Sequence, residues 1–109
     1  MAKYYRARLN HTIRRLAEQE IRTKKKIPPE ADLKPDEVED VAELCSRLDT
    51  RLRRKKNAAW GDVMASMRKI IRTAVIDFKS QSALMEACIG MGIVREDETD
   101  EVKDIPGCV

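Results

Sequence analysis

The densest chemistry in this chain is cationic. Arg51, Arg53, Arg54, Lys55 and Lys56 fall within six positions. Guanidinium and ammonium groups at that density neutralise phosphates, and each contact releases condensed counterions. Trp60 follows four residues after Lys56, and an indole can stack on a base or a sugar. The competing role for such a run is a solvated helix end that maintains solubility or docks an acidic protein.

No other residue set assembles into a reaction centre. His11 is the only histidine; it stands near Arg14 and Arg15, so a phosphate contact is chemically open to it. The three cysteines, Cys45, Cys88 and Cys108, contain no C-x-x-C pair, which argues against a zinc site or a redox dithiol. Cys45 and Cys88 fall on apolar helical faces and are expected to be small buried hydrophobes of a reducing compartment. The acids between Asp32 and Glu43 lack the alternating ligands and central glycine of a calcium loop. Gly90-Met91-Gly92 lacks the third glycine and the preceding strand of a dinucleotide loop. A non-enzymatic protein with no cofactor and no metal is therefore expected.

The elements that would position the cations are helices. Val38, Val41, Cys45, Leu48 and Leu52 recur at alternating steps of three and four, the spacing of a seam that a partner helix buries. Acids crowd the first half of this segment and bases the second, as the helix dipole favours. Upstream, Tyr5, Leu9, Ile13, Leu16, Ala17 and Ile21 keep helical spacing across residues 3–26. Ile27-Pro28-Pro29 stops that helix, because proline lacks the amide proton and restrains the residue before it. Pro35 suits the first position of the next one. So short a connector predicts two adjacent antiparallel helices.

In that hairpin, paired positions sum to about sixty-one if both helices rise equally. Lys24, Lys25 and Lys26 then face Asp36, Glu37, Glu39 and Asp40 near the tip. At the open end Arg6 and Arg8 join the run from Arg51 to Lys56. The candidate nucleic-acid site is thus Arg6, Arg8, Arg51, Arg53, Arg54, Lys55, Lys56 and Trp60, with Tyr4 and Tyr5 close by.

Beyond the hairpin, Gly61 costs a helix about 1 kcal/mol relative to alanine and Asp62 is a good N-cap, which predicts a break at residues 57–62. A third helix is expected over 62–79, with Val63, Met67, Ile70, Ile71, Ala74, Val75 and Phe78 as its apolar face. A fourth is expected over 82–91, capped by Ser80 or Ser82 and ended by Gly90 and Gly92. The fold class is therefore all-α: a coiled-coil-like antiparallel hairpin over 3–58 plus one or two further helices. They form one small bundle spanning 1–94. Residues 95–109 carry an acid cluster from Glu96 to Glu101 and are expected to be a solvated, at least partly disordered tail that could mask the basic end.

Composition agrees with helices: charged residues are 38% of the 109 and aromatics only 4%, against the needs of a sheet. The formal net charge of +3 hides alternating blocks of opposite sign. No run approaches the ~18 apolar residues of a membrane span and the N-terminus has no apolar signal core, so a soluble cytoplasmic protein without a membrane partner is expected.

Ile27-Pro28-Pro29-Glu30-Ala31-Asp32, followed by Glu37 to Arg54, resembles the coiled-coil arm of the DksA/TraR transcription factors. The resemblance covers about a third of the chain and implies an arm that enters the secondary channel of RNA polymerase. The four-cysteine zinc finger that follows the arm in that family is missing, since Cys88 and Cys108 cannot supply it, and no residue role is carried over. The leading expectation is a nucleic-acid-associated protein. The alternative is an interaction or assembly module using the heptad and the methionine-rich second half, as a helical oligomer such as a homodimer or as a polymerase arm.

Overall fold

The computed structural model describes residues 2–95 and contains four helices, α1 (Ala2–Lys25), α2 (Pro35–Arg53), α3 (Trp60–Ile70) and α4 (Phe78–Gly90). The all-α bundle expected from the sequence is present. The acidic segment from Glu96 onward lies outside the described residues.

α1 and α2 form the antiparallel hairpin. α1 buries Leu9, Ile13, Leu16, Ala17 and Ile21. Lys26 closes it with a φ of 58°, ahead of the two prolines. Pro35 opens α2, and the Glu37 carboxylate accepts from the Lys34 N–H at 2.7 Å, satisfying an amide that the first turn leaves free. α2 buries Val41, Leu44, Leu48 and Leu52. The stripe is therefore shifted toward Leu44: Cys45 is half-buried, and Val38 is 45% exposed. The last buried residue of α1 is Ile21, so its apolar stripe stops short of Val38. Near the tip Lys25 Nζ meets Asp40 at 2.6 Å, as the charge pattern predicts, and at the open end Arg6 meets Asp49 at 3.6 Å.

The second half departs from expectation. The helix expected over 62–79 instead begins at Trp60 and ends at Ile70, with Gly61 inside its first turn and Ala59 rather than Asp62 at the N-cap. It ends because its next amides are taken elsewhere. Glu20 of α1 accepts from the N–H groups of Arg72, Thr73 (2.9 Å) and Ala74 (3.1 Å), and from the Thr73 hydroxyl. A new helix then starts at Phe78, capped by Asp77, which accepts from the Ser80 N–H at 2.7 Å. Val75 and Phe78, expected on the buried face of α3, are 61% and 66% exposed. Gly90 is the last residue of α4, and Gly92, at φ 77°, makes the left-handed turn after it.

α4 runs antiparallel along α1. The contacts step in register: Gly90 against the Tyr5 ring, Glu86 with Arg8, Asp77 with Arg15, and the 72–74 amides with Glu20. α3 packs on α2. The chain returns to the open end of the hairpin, where Ala58 N–H donates to Ile93 O at 2.9 Å and Ala58 and Val94 form an isolated parallel bridge. Ile93 and Val94 join Trp60, Met64, Met67, Leu84 and Cys88 in one core with the hairpin stripe. Among the described residues no helix is long and apolar enough to cross a membrane.

Candidate nucleic-acid interface

The bundle divides the cations that the hairpin register gathers at one end. Arg6 and Arg53 share Asp49, at 3.6 and 3.0 Å, on the α1 side of α2. Arg8 turns the other way, toward α4, where it donates to the Tyr4 hydroxyl at 2.6 Å and pairs with Glu86 at 3.4 Å. Lys55 and Lys56 lie in the turn that leads to Ala58. Trp60 corrects the expectation for an aromatic there: it is fully buried at the start of α3, so neither face of its indole is open to a base. Tyr5 is committed to the α1–α4 contact.

Arg51 and Arg54 take a third direction. With Arg47 they are spaced by four and three, which places Arg47 and Arg51 on one face of α2 and Arg54, its C-cap, in line with them. That face borders α3. Arg47, Arg51, Arg54 and Ile70 line a hollow between the two helices. Arg47 and Ile70 also line a larger hollow of about 750 Å³, walled by Lys24, Lys69, Arg72 and Thr73. Arg72 continues into a third hollow beside Arg68 and Val75. Shared lining residues thus join three hollows into one track over α2, α3 and the connection to α4.

Arg47, Arg51, Arg54, Lys69 and Arg72 form no ion pair among the described residues. Arg72 only donates its Nε to Lys69 O at 3.2 Å. The carboxylates on the same walls are Glu20, Asp40 and Glu43. Two of them are occupied, Asp40 by Lys25 and Glu20 by the 72–74 backbone. Burial pushes the Glu20 carboxyl up, but its hydrogen bonds from Thr73, Arg72 and Ala74 outweigh that and hold it below the ordinary range. Glu20 therefore stays ionised and satisfied, fixing the track's rim without drawing on its arginines.

The two described cysteines are not activated thiols. Burial pushes the Cys88 thiol up to about 12 and raises Cys45 as well, less the effect of Arg14. Neither is thiolate near neutral pH. Among the described residues no group of three His, Cys, Asp or Glu side chains could hold a metal ion.

Arg47, Lys69 and Arg72 were absent from the expected site. The Arg47–Arg51–Arg54 spacing was visible in the sequence, but its direction relative to the hairpin seam was not. Lys69 and Arg72 come to α2 only because α3 packs beside it. Comparison with protein-family models, with curated proteins and with solved structures finds no match for the chain.

Proposed function

We propose that this chain is a non-enzymatic nucleic-acid-binding protein that contacts phosphates along the basic track. The track starts at the hairpin end with Arg54 and Arg51 and continues through Arg47, Lys69 and Arg72. The observation that carries this reading is the continuity of five arginine and lysine side chains with no carboxylate partner among the described residues. Cations with no internal partner are the ones available to neutralise an external polyanion. Contacts of this type position a backbone and read little sequence.

The assembly reading would use the heptad and methionine faces. Much of those faces is buried within one chain, at Val41, Leu44, Leu48, Leu52, Met64 and Met67, which leaves Val38 exposed and Cys45, Met85 and Met91 partly buried for such a contact. The polymerase-arm reading calls for a free-standing hairpin, whereas here α4 lies along α1 and α3 lies on α2.

The test is a salt titration of binding to nucleic acid by the parent and by a variant with Arg47, Arg51, Arg54 and Lys69 all changed to Gln. Glutamine keeps helix propensity nearly constant. The log–log slope against salt should fall by roughly 0.7–0.9 for each phosphate contact removed. A set at the open end, Arg6, Arg53, Lys55 and Lys56 to Gln, should lower it less, because Arg6 and Arg53 already share Asp49. A parent that shows no salt-dependent binding to any nucleic acid would overturn the proposal.

A further inference from the structure

Phe78 is the most exposed large apolar residue described in the protein, at 66%, and it opens α4 just past the end of the track. It is held there from both sides. Asp77 caps the helix that Phe78 begins, and Arg15 stands 4.0 Å from that same carboxylate. Glu20 pins the 72–74 backbone upstream. The ring is thus presented on a backbone that is held on both sides. The six residue steps from Arg72 to Phe78 span at most about 22 Å even if fully extended. In the chain, Phe78 stands between Arg68 and Arg72, which line the last hollow of the track, and Lys79, its next neighbour.

An apolar ring exposed on the segment that leaves a cationic track fits a ligand that is anionic along its length and has flat, weakly polar faces at intervals. A protein helix offers one or the other on a given face, whereas an unpaired strand of nucleic acid offers both at every residue. A duplex offers only the phosphates, because its base faces are stacked on one another.

We propose that the track takes a single strand, its phosphates on Arg51, Arg47, Lys69 and Arg72 and one of its bases stacked on Phe78. This rests on the nucleic-acid reading above and adds a substrate class to it. Phe78 supplies stacking, not charge, so it sets affinity for unpaired strands without entering the salt dependence.

The test compares a fluorescently labelled oligo-dT strand with a duplex of equal length, using the parent, Phe78→Ala, Phe78→Leu and Phe78→Trp. The side chain is exposed, so all four should fold with the same circular dichroism. The parent should prefer the strand. Phe78→Ala should weaken strand binding by about 5- to 100-fold while leaving its salt slope and the duplex affinity unchanged. Phe78→Leu should fail to restore it, because it keeps apolar area but has no aromatic face. Phe78→Trp should bind like the parent and show quenching of its exposed, red-shifted emission, distinct from that of buried Trp60. Unchanged strand binding in Phe78→Ala, full binding in Phe78→Leu, or an equal loss on the duplex would each overturn the stacking role and leave the phosphate track standing. A Phe78→Ala protein that loses self-association while binding the strand normally would also overturn it, assigning the ring to a protein contact. No salt-dependent binding by the parent would remove the underlying reading as well.

Discussion

Through one carboxylate, Glu20 fixes where α3 ends and where the connection to α4 runs. Its folded pKa lies below the ordinary carboxylate value. The folded state therefore binds fewer protons there than the unfolded chain. The stability this contributes is fully present above the ordinary carboxylate range and is lost as pH falls through the lowered value. Glu20→Gln keeps the size but puts an NH2 group among amide donors, and should cost about 2 kcal/mol, read as a lower thermal midpoint at neutral pH. The variant should also lose less stability than the parent on acidification, so the two melting curves should converge at low pH. A parallel pH profile would mean that the loop is held by something other than the ionised carboxylate. Trp60 teaches the complementary lesson. Its type suggested stacking and its position after the basic run suggested exposure, yet a large apolar side chain in a domain this small is most often needed inside.

At the scale of elements, Gly90 and Tyr5 fix the contact between the two longest-separated helices. A methyl group at Gly90 would stand 2.4 Å from atoms of the Tyr5 ring. Gly→Ala in an unhindered helix should gain up to about 1 kcal/mol. Here the ring would have to leave α4 and its edge contact with Tyr4, so Gly90→Ala should destabilise by about 1 kcal/mol instead. In a Tyr5→Ala background the same change should turn stabilising, a reversal that a double-mutant cycle of melting midpoints would detect. The elements themselves were unequally legible. The hairpin could be read because its signals are local: a three-four apolar stripe, a proline stop and opposite charges at the tip. The break at Ile70 could not, because the acceptor that captures residues 72–74 lies more than fifty positions upstream in Glu20. Residues 62–79 also keep a helical apolar period throughout, which hid the exposure of Val75 and Phe78. The candidate site was legible to the same degree: cation density and the Arg47–Arg51–Arg54 spacing are in the sequence, but which way each side chain turns depends on where α3 and α4 pack.

At the scale of the whole molecule, the balance of charge sets how strongly a polyanion is drawn to the track. Residues 96–109 contain six acids and one lysine, so removing them takes the formal net charge from +3 to +8. Those acids begin two residues after Val94, which is bridged to Ala58 directly after the Arg51–Lys56 run. The described chain therefore ends, at Arg95, close to the basic end. Among the described residues, the buried core runs from Leu9 to Val94. Deleting 96–109 should accordingly leave a cooperative melting transition with an unchanged midpoint. The truncated protein should bind nucleic acid more tightly than the parent at low salt, where a Debye length of about 30 Å at 0.01 M lets the acids act at a distance. The gain should shrink as salt rises and vanish toward 1 M, where the length is about 3 Å. An affinity ratio that stays constant across that range would mean that the acids act by contact with the track rather than through their field. A loss of cooperative melting would mean instead that the fold draws on residues past Arg95.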